Sequence, residues 1–445
     1  MSASWSRTLV ILALAACSVA QPPAKAQQDA SPVAAKPVVL TDDDAAAIGS
    51  ALRGVEDQGF APGEFDRGDA AAAAIAYAKA QHGGRVPVSS FPRSWALHPA
   101  AYDASADFAS AVSQHRLGDW LAALPQSDPR YGKLVQAYAR YRRIAAQGGW
   151  ATVKAIASKR SGEVLRARLA LEDPAATDGD LAEAISRAQV RYGITPDGAL
   201  NAATVDALNE PVDRRLAQIR ATLERWRWMP RSLPSTRVEL NIASASLVYY
   251  EGGAAALTMR AVVGKPDKQT PTLSDEIDSI VLNPPWNVPP EIAAREIRPK
   301  GRDYMRRHGF VVRAGGGLQQ RPGPHSSLGT IKFNLANPYD IYLHDTPEKA
   351  LFSRDDRALS HGCMRLEKPN ELAQRLLSSD PDWTESRLDE AISTGKTRRV
   401  DLPQAVPVYV VYWTAFVDDD GQVSFRSDAY GWDEKLLGLL PAVAG

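Results

Sequence analysis

The residues with the most chemistry in them are Ser360-His361-Gly362-Cys363-Met364-Arg365, preceded by Tyr342-Leu343-His344-Asp345-Thr346-Pro347. A thiol titrates near 8.5, so only about a few per cent is thiolate at neutral pH unless an imidazole takes or balances its proton. His344 and His361 are both candidates for that base. A residue two positions before Cys363 on the same loop is poorly placed to reach its sulfur, whereas His344 can arrive from a neighbouring strand. His344 is therefore the expected base. Gly362 permits backbone conformations closed to a residue with a Cβ, and the N–H of Cys363, joined by that of Gly362, is expected to face a developing oxyanion. The second ring nitrogen of His344 needs an acceptor to fix its tautomer, and Asp345 offers a backbone carbonyl or a carboxylate. Such a set suits acyl transfer.

Two bland readings compete with it. Free cysteine is often simply buried, here with histidines packed beside it. Cysteine and histidine are also zinc ligands, but Cys363, His361 and His344 form no paired Cys-x-x-Cys or His-Glu-x-x-His framework, so neither metal nor cofactor is expected. Cys17 and Cys363 are the whole thiol inventory, which excludes a disulfide scaffold. Cys17 lies in a segment, residues 1–20, that reads as an export leader: Arg7, then the apolar run Thr8 to Ala16, short for a spanning anchor. Leu14-Ala15-Ala16-Cys17 has the form of a lipobox, and cleavage after Ala20 or Ala26 is the soluble alternative. The expected location is the periplasm or bacterial cell envelope, with membrane attachment only through the leader or a lipid on Cys17. Lys plus Arg (52) balances Asp plus Glu (52), so no overall basic excess points to nucleic acid.

At 445 residues the chain is long enough for several units of about 100–200 residues each. Residues 21–37 are mostly Ala, Pro, Gln and Lys and read as a tether. Residues 38–175 carry helical spacing, such as Leu134, Tyr138, Tyr141 and Ala145 on one face, and predict a helical scaffold. In residues 176–212, Leu181, Ile185, Ala188 and Tyr192 repeat at helix spacing, and Gly193 ends the run. Thr195-Pro196-Asp197-Gly198 then turns the chain, and Asn201 opens a second helix. Residues 213–235 read as a connector helix through Leu216, Ile219, Leu223 and Trp226. From 236 to 430 the period changes to strands, with Gly252-Gly253 as a hairpin signal and Asp418-Asp419-Asp420-Gly421 as another turn. Residues 431–445 remain as a tail.

The two chemical blocks resemble the signature of the L,D-transpeptidase (YkuD-type) catalytic domain, as do Val262-Val263-Gly264-Lys265, Asn283 to Pro290, Pro322-Gly323-Pro324 and Leu328 to Phe333. Residues 178–209 resemble a helical peptidoglycan-binding module, and the whole is similar to the large multidomain (YcbB-like) branch. Ser326-Ser327 departs from the Asn-Ala more usual there. The resemblance implies a multidomain α+β chain: a mainly β catalytic domain with an inserted lid at about 291–325, a helical scaffold and a small helical binding module. It implies Cys363 as nucleophile and peptidoglycan tetrapeptide stems as donor and acceptor. It also implies D-alanine and a cross-link between the third residues of two stems as products, formed through a thioester, with acylation by carbapenems. Tyr342, Ser360, Arg365, Trp286 and Lys332 are the expected substrate-binding positions. Water as acceptor would make a carboxypeptidase, and loss of chemistry would leave an envelope anchor. Arg295, Arg298, Lys300, Arg302, Arg306, Arg307 and Arg313 make the lid basic, which either engages stem carboxylates or keeps an exposed face soluble.

Overall fold

Among the described residues, short polar ones placed just ahead of apolar runs start half of the helices. The computed structural model describes residues 39–66, 68–154, 159–418 and 420–441. The leader, Cys17 and the tether lie outside them. The N-terminal helices are α1 (Asp42–Leu52), α2 (Ala70–Gly83), α3 (Ala104–Ser113) and α4 (Leu117–Ala122), packed around Phe60, Tyr77 and Phe108. Asp69 caps α2 by accepting from Ala71 N and Ala72 N. Next come α5 (Pro129–Ala146), α6 (Lys159–Ala170), α7 (Leu181–Tyr192), α8 (Ala202–Asn209) and α9 (Val212–Trp226). Gly193, at φ +72°, closes α7, and the Asn201 side chain accepts from Thr204 N at 2.9 Å to open α8.

Helix α9 corrects the expectation of a connector. It is buried on nearly every face, Arg220, Glu224 and Arg225 included, and packs against α5 and the C-terminal hairpin. Its charges survive burial because each finds a partner from far along the chain. Glu224 accepts from Arg85 Nε at 2.9 Å, and Arg225 pairs with Asp433 at 2.5 Å.

Strands β1 (Arg237–Asn241), β2 (Ser246–Glu251), β3 (Ala254–Gly264) and β4 (Leu273–Leu282) open the β region. After them β5 (Trp286–Val288), β6 (Phe310–Val312) and β7 (Leu318–Gln320) form a separate small sheet. The chain returns through β8 (Ile331–Leu335), β9 (Leu343–His344), β10 (Ala358–Ser360), β11 (Met364–Leu366) and β12 (Arg398–Val411). Among the described residues the main sheet runs β10-β3-β11-β9-β8-β4-β12-β1-β2, and the β2–β3 hairpin closes it on itself. Leu343, Phe333, Met364 and Leu366 fill the enclosed face, all at 0% exposure. Helices α12 (Pro369–Leu376) and α13 (Glu385–Ser393) join that core.

The inserted segment has its own apolar centre of Val288, Ala293, Ile297, Phe310 and Leu318, built from α10 (Pro290–Ile292), a π turn and α11 (Gly301–Arg307) with the β5-β7-β6 sheet. It thus begins at Trp286. Strands β13 (Ala415–Val417) and β14 (Val423–Phe425) make the hairpin expected at Asp418, but they pack with the helical core of α5 to α9. The expected tail is another correction: α14 (Trp432–Leu437) is docked, with Trp432, Asp433 and Leu436 buried. The architecture is mixed α+β, a β-sheet region that follows an N-terminal helical one. No described helix is long and apolar enough to cross a membrane.

Candidate functional site

Strand register decides which side chains can meet. Strand β9 pairs in parallel with β11, placing Leu343 beside Met364 and His344 beside Arg365. It pairs antiparallel with β8, placing His344 beside Lys332. Side chains alternate along a strand, so Lys332, Tyr342, His344, Cys363 and Arg365 share the face opposite the core. The main chain carries this register to the start of β11, where Met364 N donates to Tyr342 O at 3.1 Å.

His344 is buried, at 4% exposure, and its Nδ1 lies 2.5 Å from the carbonyl oxygen of Asp345. That bond puts the proton on Nδ1 and leaves Nε2 as an acceptor. Burial, with Arg365 adding to it, pushes the imidazole down to about 3, so it is neutral at pH 7. The Asp345 carboxylate serves elsewhere, accepting from Thr330 N at 2.8 Å and pairing with Lys349 at 2.6 Å. Of the two acceptors expected of Asp345, the carbonyl is the one used.

Cys363 Sγ faces the carbonyl of Asp340 at 3.7 Å, and the Tyr342 hydroxyl donates to the sulfur while receiving a hydrogen bond from Trp286. Burial pushes the thiol above its ordinary value, opposed by the Tyr342 N–H and hydroxyl and by the charges of Lys332 and Arg365. Lys332 Nζ sits 4.2 Å over the Tyr342 ring, and burial lowers its ammonium. Arg365 is held by Glu348. The resting pair is therefore a neutral thiol beside a neutral imidazole. The rate of Cys363 alkylation by iodoacetamide should climb continuously from pH 6 to pH 9, about tenfold per unit, without the acid-side plateau of a thiolate–imidazolium pair. A plateau below pH 7 would contradict this.

Three expectations need correction. His361 is turned to the inserted segment, where its Nε2 pairs with Glu296 at 2.6 Å, so its ring is tied to the lid and not set as the base. Ser360 is 2% exposed, and its hydroxyl donates to Cys363 O at 2.6 Å and accepts from Gly362 N at 3.1 Å. It shapes the loop and has no free edge for substrate. The same bond occupies the Gly362 N–H, leaving Cys363 N–H, which has no acceptor among the described residues, as the oxyanion donor of the pair. Gly362 itself stands at φ +113°, with Ile341 Cδ1 only 3.1 Å from where a Cβ would be. Ser360→Ala should leave two buried polar groups unpaired, costing about 1–3 kcal/mol measured as a fall in the urea midpoint, and should slow alkylation of Cys363.

Sequence reasoning missed the acceptor of the thiol. Asp340 adopts φ +54°, and the turn is held by Asn337, whose side chain accepts from Tyr339 N at 3.1 Å and donates to Ile341 O at 2.8 Å. The Asn337-Pro338 pair was the available signal, since such a pair starts turns and Asp tolerates positive φ. Glu296 gave none. Arg295 and Arg306 are about four-fifths exposed and pair with Glu291 and Asp303 on the lid itself.

Residues 235–403 match the L,D-transpeptidase catalytic domain family, YkuD. The segment that carries the site is thus similar to an L,D-transpeptidase catalytic domain. Residues 68–137 match a scaffold domain family. A putative L,D-transpeptidase of Haemophilus influenzae is 33% identical over 220 residues, 44% of each chain, so the chain spans under half the length of the curated relative it matches. Solved structures similar to it include the catalytic domain of an E. faecium L,D-transpeptidase acylated by ertapenem, at 15% identity and TM-score 0.23, covering 40% of this chain and 98% of that one. Another is the L,D-transpeptidase from Mycobacterium smegmatis, at 15% identity and TM-score 0.23, covering 40% and 58%. Cys363 and His344 both fall inside the L,D-transpeptidase segment, as does the inserted lid. Among its described residues no group of three or more His, Cys, Asp or Glu side chains is arranged to hold a metal ion.

Proposed function

We propose that this protein is a cysteine-dependent L,D-transpeptidase of the bacterial cell envelope, acting on peptidoglycan stem peptides. The observation that carries the reading is the face shared by β9 and the start of β11, which holds Cys363 together with a buried His344 whose Nδ1 is fixed by Asp345 O and whose Nε2 is left to accept a proton. Cys363 Sγ attacks the carbonyl that joins diaminopimelate to the terminal D-alanine of a tetrapeptide stem, and its proton passes to His344 Nε2. Cys363 N–H faces the oxyanion. The C–N bond breaks, His344 returns the proton to the leaving amine, and D-alanine departs from a thioester. The side-chain amine of a second stem attacks that thioester, the C–S bond breaks, and the amine's proton returns through His344 to the thiolate. A link between the third residues of two stems results. Water in place of the amine would give a trimmed stem.

Incubation with tetrapeptide muropeptides tests this, with free D-alanine and cross-linked dimers both expected. Trimmed stems without dimers would turn the reading to a carboxypeptidase, and neither product would leave a wall-binding anchor. A carbapenem should add its mass to Cys363 stoichiometrically, and a chelator should leave turnover unchanged.

A further inference from the structure

Behind the sheet, a cavity of about 320 Å³ opens where the end of α7 meets β3, β10 and the segment before α14. Two guanidinium groups, Arg357 and Arg426, line it, and neither has a carboxylate partner among the described residues. Arg357 spends its donors on main-chain carbonyls: Ala261 at 3.2 Å, Arg354 at 2.8 Å and Ser244 at 2.9 Å. Arg426 uses only Nη1, which donates to Arg191 O at 2.8 Å and Phe425 O at 2.7 Å. Its Nε and Nη2 have no acceptor among the described residues, and those two N–H groups form the parallel pair that grips an oxyanion. The group is held firmly in place, because a Cβ at Gly193 would lie 2.6 Å from Arg426 Nε.

The charge balance selects the ligand. Asp355 and Asp356 also line the cavity, turned to Thr195 Oγ1 at 2.6 Å and Ala358 N at 3.0 Å. Two cations against two anions leave the lining with no net charge, so the free N–H pair of Arg426 is what draws a guest, and a second negative charge finds no further cation to offset it. Ile242, Val263 and Tyr430 supply apolar wall. We propose that this cavity is a binding site for a small monocarboxylate with a short apolar side chain, gripped by Arg426 Nε and Nη2. Burial, with Arg357 next to it, lowers Arg426 to about 10, which still leaves it charged at pH 7. The site adjoins the nucleophile's loop: Ala358 begins β10, and the wall residue Tyr430 receives from Thr270 N at 3.2 Å, whose hydroxyl donates to Gly362 O at 2.7 Å.

Calorimetric titration of the whole protein with N-acetylalanine should show one saturable site, unchanged in Cys363→Ala. Its neutral amide should give no binding. Arg426→Gln should weaken the acid at least about tenfold. If that variant fails to fold for want of its bond to α7, Arg426→Lys keeps the charge but loses the paired donors, and should weaken binding several-fold. No saturable heat, equal affinity in the folded Arg426 variant, equal binding of the amide, or binding of inorganic phosphate without the acid would each overturn the assignment.

Discussion

Cys363→Ala should lose both D-alanine release and dimer formation by at least about a thousandfold, and His344→Ala should lose nearly as much. The double variant should be no worse than Cys363→Ala alone. Nucleophile and base act as a unit, so removing either removes the same step, and the losses do not add. The neutral resting state sharpens the comparison. Because burial holds His344 down near 3 and the Cys363 thiol up, no ready-made thiolate survives loss of the imidazole. His344→Ala should therefore regain part of its rate at high pH, where solvent removes the thiol proton, whereas Cys363→Ala should not. Folding of both variants is checked by their urea midpoints. Dimers made by Cys363→Ala would sink the nucleophile, and additive losses would sink the pairing.

The machinery of this step was readable because it is contiguous. His344 with Asp345, and Ser360 through Cys363, each lie within one short stretch, and their roles follow from side-chain chemistry that needs no distant partner. The caps of α7 and α8 and the Gly252-Gly253 hairpin were readable for the same reason: their hydrogen bonds are local. What failed was long-range. Apolar spacing marked α9 as a connector helix, but nothing beside Arg220, Glu224 and Arg225 tells that they are buried, because partners such as Arg85 and Asp433 arrive from opposite ends of the chain. Nothing near Ser360 announces that its hydroxyl is already used by Cys363 O, and nothing near His361 announces Glu296. Local chemistry named the reacting groups, and tertiary structure decided which of their neighbours were free.

The same long-range logic sets the largest expected loss of stability, at Glu172. Its carboxylate accepts from Arg168 at 2.8 Å and from the hydroxyls of Tyr141 and Tyr192, with Arg191 3.6 Å away, so one 1% exposed group joins α5, α6 and α7. Burial alone would raise this carboxyl, but Arg168 and Arg191 outweigh it and hold it at about 2, against 4.5 when free. A depressed acid contributes stability above its unfolded value and loses it as pH falls through the folded one. The difference amounts to about 3 kcal/mol at pH 7 and about 1 at pH 3. Glu172→Gln should cost about 3–5 kcal/mol at pH 7, because it strands two buried guanidinium groups. Urea unfolding of variant and parent at both pH values checks this: the gap should narrow by about 2 kcal/mol on acidification. A gap independent of pH would mean that shape, not charge, holds the three helices. Since Tyr192 and Arg191 of α7 lead into Gly193 and the carbonyl that fixes Arg426, the folded Glu172→Gln protein should also bind N-acetylalanine more weakly, while alkylation of Cys363, whose partners Glu172 does not touch, stays as fast.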